Sequence, residues 1–95
     1  MTHEKRLHNW LTLEQINERV SKDLAKNTPL SKIEKDFTEN DIEHSYYEKM
    51  NQVFAAIRNI RGGIFPVSKD AQIIITLDKD KNLKSIEVKP IFTGP

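Results

Sequence analysis

The apolar residues in the first forty positions recur at spacings of three and four. Such spacing lines one face of an amphipathic helix, and it occurs in two separate stretches. The sequence therefore predicts two helices, near residues 12–27 and 29–39. The apolar positions are Leu13, Ile16, Val20 and Leu24 in the first stretch and Leu30, Ile33 and Phe37 in the second.

Both predicted helices have recognisable end signals. Thr12 and Gln15 have the spacing of a capping box, in which each side chain bonds the backbone N–H of the other residue. Thr28 before Pro29 is typical of an N-cap followed by the first helical position, where the missing N–H of proline costs nothing. Asn40 suits the end of the second helix, which is too short to be stable without packing against another element.

After Asn40 the apolar period changes from 3.6 to 2, which is the period of a β-strand. Alternation predicts strands near residues 42–47, 71–78 and 83–89, and the isoleucines Ile73–Ile75 are typical of a central strand. The fold class that we expect is α+β, with two N-terminal helices packed on an antiparallel sheet of three or four strands.

The stretch from residue 50 to residue 60 fits two interpretations. Val53, Phe54 and Ile57 belong to a helix-spaced set, but Val53, Ala55 and Ile57 also alternate as in a strand. The polar turn before the stretch and the glycines after it favour a fourth strand, near residues 53–60. The alternative is a third helix followed by a terminal hairpin.

The last two strands are predicted to form a hairpin around the polar segment Asp78–Asn82. The alternating Asp, Asp and Asn of this segment resemble the start of a calcium-binding loop. Leu83 and Lys89 stand where such a loop needs glycine and a bidentate glutamate, so we interpret the segment as a turn. Pro90 cannot donate to a β-ladder, so the last strand lies at an edge or ends there.

With 95 residues, the chain has room for one domain. The first residues are polar without periodicity, so we expect a flexible arm at 1–11 and a single α+β domain at 12–95. The absence of cysteine excludes disulfides, thiolate metal sites and cysteine nucleophiles. The net charge of +1 argues against a nucleic-acid partner, although residues 1–48 carry −3 and residues 49–95 carry +4.

The sequence predicts no transmembrane segment, because no apolar stretch approaches the roughly 20 residues that span a bilayer. The N-terminus also lacks the apolar region of a secretory signal, so the chain as written is expected in the cytoplasm. If a signal peptide has been removed ahead of Met1, the protein is instead periplasmic or envelope-associated.

Three stretches resemble a group of uncharacterised small bacterial proteins, many of them lipoproteins. These stretches are IEHSYY at Ile42–Tyr47, the run IIITLDKDKNLKSIEV at Ile73–Val88, and the ending Thr93–Pro95. In that group the hairpin turn has glycine where this chain has Asn82. The helix–helix–sheet order is similar to small outer-membrane-assembly lipoproteins and to β-lactamase-inhibitor-protein repeats. The resemblance covers residues 28–95, and it implies an α+β fold and a protein-interaction role without catalytic residues.

His44 is the one histidine inside a predicted element, and its neighbours suggest acid–base chemistry. On a strand, however, Glu43 and Ser45 point to the face opposite His44, so the three residues cannot form a relay. We therefore expect a partly buried, hydrogen-bonded histidine. The enzymatic alternative is a hydrolase in which His44 works with a distant acid such as Asp36 or Glu34.

No metal, cofactor or catalytic site is predicted. His3 and His8 lie in the arm without the further ligands that a metal site needs. The segment Arg61–Gly63 lacks the lysine and the helix start of a phosphate-binding glycine loop, so we interpret it as a turn.

A candidate contact surface lies on the predicted sheet face away from the helices. Two adjacent tyrosines on one strand point opposite ways, so one is buried and Tyr47 is displayed. Tyr47 and Arg58 share that face, with Arg61, Gly62 and Gly63 at its corner. Tyrosine and arginine are strong interface anchors, and the basic second half of the chain favours a protein partner with an acidic surface.

These patterns predict a non-enzymatic protein-interaction domain, because no nucleophile–base pair, carboxylate pair or metal cluster is present among them. A small inhibitor or immunity-type protein from a mobile element is the main alternative, and a hydrolase using His44 is a further one. The oligomeric state is left open.

Overall fold

The computed structural model describes residues 11–64 and 67–94. Within them, two helices precede four strands, and the sequence prediction of an α+β fold is confirmed in its four-stranded form. The stretch that fitted either a helix or a strand forms the second strand. The elements are α1 (Leu13–Asp23), α2 (Leu30–Glu39), β1 (Glu43–Tyr47), β2 (Gln52–Ile57), β3 (Ser68–Leu77) and β4 (Leu83–Thr93).

Helix α1 begins as predicted but ends earlier. The Gln15 N–H donates to Thr12 Oγ1 over 3.2 Å and the Thr12 N–H donates to Gln15 Oε1 over 2.9 Å, which completes the capping box. The helix stops at Asp23 instead of near residue 27. The reason is that the Asn27 N–H bonds the carbonyl of Leu83 over 2.8 Å, so the chain follows β4 and leaves the helical path.

Thr28 does not cap α2, which corrects the sequence prediction. Pro29 is the N-cap residue and makes no side-chain cap bond, while the Thr28 hydroxyl donates to the carbonyl of Ala25. The C-terminal prediction is confirmed, because Asn40 is the C-cap and its Nδ2 donates to the carbonyl of Asp36 over 2.8 Å.

The four strands form one antiparallel sheet in the order β1-β2-β3-β4. The isoleucine run lies in β3, which is an inner strand as predicted, and β4 is an edge strand. The register places Phe54 of β2 opposite Ile74 of β3, and Ile74 opposite Glu87 of β4. A bulge beside Thr76 gives β4 one extra residue near its start.

Three strand ends differ from the prediction by more than one residue. β2 stops at Ile57 and not at residue 60, because Asn59 has a left-handed φ of 54° and its N–H donates to a side-chain oxygen of Asp70. β3 begins three residues earlier than predicted, at Ser68. β4 continues past Pro90 to Thr93, which is possible because one side of an edge strand needs no ladder bonds.

The core lies between the helices and one face of the sheet, which we call the helix face. Helix α1 packs against β4, and α2 packs against β1. Leu11 was assigned to the arm from the sequence, but it is 3% exposed and belongs to this core. The rest of the predicted arm, residues 1–10, lies outside the described residues. The most deeply buried side chains are Phe37, Ile16, Leu24, Ile33, Ile73, Ile75 and Val53.

The β3–β4 hairpin turns at the polar segment, as predicted. Asp78 Oδ1 accepts from the N–H groups of Asp80 and Asn82 over 2.9 and 3.0 Å, which is how an aspartate closes a turn on itself. The left-handed residue is Lys81, with a φ of 63°. The position that favours glycine is therefore Lys81 and not Asn82.

Candidate interaction surface

Opposite the helix face, the sheet has a second face that neither helix covers, which we call the open face. Alternation along each strand decides which side chains lie on the open face. In β2 the buried side chains are Val53, Ala55 and Ile57, and the residues between them point to the open face. The open face comprises Glu43, Ser45 and Tyr47 of β1, Gln52, Phe54 and Ala56 of β2, Gln72, Ile74 and Thr76 of β3, and Ser85, Glu87 and Lys89 of β4.

Tyr47 is displayed on this face and is held by a second aromatic ring. It is 49% exposed, and its ring contacts Phe54 edge to face with 5.2 Å between the centroids. Phe54 in turn pairs with Ile74, which is only 9% exposed although no helix lies over it. The three side chains form an apolar strip across three strands, and Tyr47 is its exposed end.

Arg58 lies just beyond the end of β2 and points to the same face. Its Nε donates to Glu43 Oε1 over 2.7 Å, and both side chains are largely exposed. The hydrogen bond to Glu43 and the charge of that carboxylate raise the pKa of Arg58 above its ordinary value. The pair fixes the direction of the arginine while leaving most of its donors free to bind another molecule.

A cavity of about 280 Å³ lies between the aromatic pair and the ion pair. Its lining includes both aromatic residues and Glu43 of the ion pair, together with small and polar side chains, while Arg58 lies outside it. The lining includes Glu43, Ser45, Tyr47, Phe54, Ala56 and Gln72.

The corner formed by Arg61, Gly62 and Gly63 lies at the end of the sheet, apart from this cavity. The Arg61 N–H donates to the carbonyl of Leu11 over 3.1 Å, which ties the corner to the chain ahead of α1. A separate cavity of about 320 Å³ lies here, and its lining shares no residue with the open-face cavity. Tyr47 therefore lies beside the start of β2, whereas Arg58 and the three corner residues follow the end of that strand.

Each of the two corner glycines has a structural reason. Gly62 has a φ of +111°, a conformation that side chains rarely adopt. A Cβ on Gly63 would lie 3.0 Å from the carbonyl oxygen of Val67 and 3.1 Å from the N–H nitrogen of Lys69. These contacts are with backbone, so both glycines are needed for the turn itself.

His44 is half-buried on the helix side of β1, as the sequence predicts. Its Nδ1 donates to the carbonyl of Ile42 over 2.9 Å, and its ring contacts Phe37 with 5.5 Å between the centroids. The ring is thus held by its own strand and by α2. Glu43 and Ser45 point to the other face, in agreement with the alternation of the strand.

Sequence reasoning missed two residues that shape the surface. Ile74 was predicted to lie in a central strand that is apolar on both faces, but its place beside Phe54 depends on the register between the strands. Asn51 was assigned only to a polar turn. Its Nδ2 bonds the carbonyls of Leu77 and Asp78, and its Oδ1 accepts from the Tyr46 hydroxyl, so it fixes the end of the sheet beside Tyr47.

Two kinds of site are absent from residues 11–64 and 67–94. No group of three or more His, Asp or Glu side chains in these residues could hold a metal ion. None of the helices in these same ranges is both long and apolar enough to cross a membrane. His3 and His8 lie outside the described residues.

Comparison with known protein families, with curated proteins and with solved structures finds no match to this chain. The resemblance to small bacterial lipoprotein-like proteins therefore stays a prediction. Any function has to be argued from the surface described above.

Proposed function

We propose that this chain is a non-enzymatic protein-interaction domain that binds its partner through the open face, with Tyr47 and Arg58 as the anchoring residues. The observation that carries the proposal is a displayed tyrosine at a cavity on the open face, with Arg58 bonded to Glu43, which lines the same cavity. Tyrosine and arginine dominate the binding energy of protein interfaces because each combines a large flat area with polar donors. Their fixed positions reduce the entropy lost on binding.

The chemistry of the open face indicates what its partner presents. The strip formed by Tyr47, Phe54 and Ile74 supports an apolar contact, and Arg58 supports a carboxylate farther along the same face. The excess of basic residues in the second half of the chain adds long-range attraction for an acidic surface. We therefore propose a protein partner that offers an apolar side chain next to one or more carboxylates.

The absence of catalysis is part of the same proposal. His44 is the best placed acid–base group, and its Nδ1 is engaged with the carbonyl of Ile42 while Phe37 covers its ring. A hydrolase would lose its turnover in a His44→Ala variant, so a turnover that depends on His44 would replace this proposal with the enzymatic one.

The test is quantitative binding to the partner captured with the parent chain. Changing Tyr47 and Arg58 together to Ala should weaken binding by about 2–4 kcal/mol, as expected for the loss of central anchors. Both side chains are well exposed, so the free energy of unfolding should stay close to that of the parent. Calorimetry and urea denaturation measure the two quantities on the same preparations.

A control variant removes two long side chains elsewhere. Arg19 and Lys22 are both exposed on α1, so the Arg19→Ala, Lys22→Ala variant makes two comparable truncations away from the open face. It should bind like the parent. Equal loss in both variants, or no loss in the Tyr47 and Arg58 variant, would overturn the proposed surface. A stoichiometric complex with an enzyme would instead support the inhibitor-type role.

A further inference from the structure

Strand β4 leaves one side of its backbone without partners over most of its length. β3 pairs with one side, and the α1–α2 connection reaches the other side only at the start of the strand. There the Leu83 N–H donates to Thr28 over 2.7 Å and the Leu83 carbonyl accepts from Asn27 over 2.8 Å. Beyond Leu83, no residue in the described ranges forms a hydrogen bond to the outer side. An unpaired edge of this kind is a template for another strand.

The direction of the backbone groups in β3 follows from two bonds at its ends. The Leu77 N–H donates to the carbonyl of Asn51, and the Lys69 carbonyl accepts from the N–H of Ile60. Asn51 and Ile60 flank β2, so odd-numbered residues of β3 direct their backbone groups to β2. Alternate residues of a strand face opposite edges, so even-numbered residues such as Ile74 face β4.

The same alternation identifies the free groups of β4. Ile74 pairs with Glu87, so Glu87 and Lys89 direct their backbone groups inward to β3. Ile86, Val88 and Phe92 therefore direct their N–H and C=O groups outward. Pro90 shares this parity, which explains why the strand tolerates it, because its missing N–H lies on the unpaired side.

We propose that this edge pairs antiparallel with β4 of a second copy of the chain, in a register centred on Val88. In that register the two Val88 residues exchange both backbone bonds, and each Ile86 N–H donates to the Pro90 carbonyl of the other copy. A two-fold axis perpendicular to the sheet relates the copies, and the two sheets join into one of eight strands.

Charge favours this register over the two registers next to it. It places Glu87 of one copy opposite Lys89 of the other, and by symmetry this pair forms twice on the open face. Both residues face β3 with their backbone groups, so across the new interface they form non-hydrogen-bonded pairs, in which side chains lie closest. Registers centred on Glu87 or on Lys89 would place like charges opposite each other, which is unfavourable.

The end of the same strand gives the second copy apolar area to cover. Ile91 is 41% exposed and Phe92 is 60% exposed. In the register centred on Val88 they lie beside Ser85 and Lys84 of the other copy. The interface therefore continues over the full length of the free edge.

The test is the mass of the protein in solution, measured by sedimentation across concentrations up to the millimolar range. The parent chain should dimerise reversibly. Glu87→Lys and Lys89→Glu each replace two attractive pairs by two repulsive ones, so each should raise the dimer dissociation constant about tenfold or more. The variant carrying both changes restores the complementary pairs and should dimerise like the parent.

Mixing the two single variants gives the sharpest readout. A copy with two lysines and a copy with two glutamates are complementary, so the mixture should form a heterodimer although neither variant dimerises well alone. Lys79→Glu and Glu48→Lys make the same charge changes in turns away from this edge, and they should leave dimerisation unchanged. A parent that stays monomeric over the whole range, or a mixture that forms no heterodimer, would overturn the proposal.

Discussion

Single residues in the left-handed region make many of the chain reversals in this small sheet. Most of them are asparagine or aspartate, which tolerate that conformation better than other side chains do. The sequence indicated where polar turns lie, but it did not indicate which residue takes the positive φ, because that choice depends on the partner strand. The non-glycine residues with positive φ in the described ranges are Asn27, Asp41, Asn51, Asn59 and Lys81.

Among these left-handed residues, Asn51 is held by three side-chain hydrogen bonds, so its replacement should lower the stability of the fold. Asn51→Ala removes the side-chain hydrogen bonds to Leu77, Asp78 and Tyr46. Alanine would also have to adopt the left-handed φ of 54°, which its Cβ disfavours. We expect the free energy of unfolding to fall by about 2–4 kcal/mol. Urea denaturation followed by circular dichroism measures this loss.

Asn51→Gly separates the two contributions. Glycine adopts the left-handed conformation freely but makes no side-chain bonds, so this variant should recover about 1 kcal/mol of the loss. If both variants are as stable as the parent, Asn51 does not fix the end of the sheet as described.

At the scale of elements, the sequence predicted whether a segment is a helix or a strand better than it predicted the residues at which the segment ends. The helical and strand periods identified α1, α2, β1, β3 and β4, and turn signals favoured a strand for β2 where periodicity alone was ambiguous. The ends failed where tertiary bonds decide them. Asn27 bonds to β4 and ends α1 early, and Pro90 lies on an edge where its missing N–H has no consequence.

The capping box of α1 is a local feature that can be tested separately. Thr12→Ala removes the acceptor for the Gln15 N–H and should lower the free energy of unfolding by about 1 kcal/mol. Thr12→Ser keeps the hydroxyl and should lose only a few tenths. Thermal or urea unfolding measures both, and equal stability of the alanine variant and the parent would show that α1 does not depend on this cap.

At the scale of the whole molecule, the residues on which the proposed function rests are distributed over the sheet and do not form a motif. The sequence identified Tyr47 and Arg58 on one face, because alternation along a strand fixes which side chains share a face. The pairing of Ile74 with Phe54 and of Glu43 with Arg58 could not be predicted from the sequence, since both pairs depend on the register between strands. For the same reason it grouped the Arg61–Gly63 corner with the open face, whereas the corner is tied to Leu11.

The most direct test of the account is to observe which isoleucine side chains sense the partner. With isoleucine δ1-methyl groups labelled for NMR, partner binding should shift the signal of Ile74, which lies in the apolar strip of the open face. Ile16 and Ile33, which lie in the core against the other face, should change little. If Ile16 or Ile33 shifts while Ile74 stays in place, the partner binds on the helical side, and the proposed function of the open face is wrong.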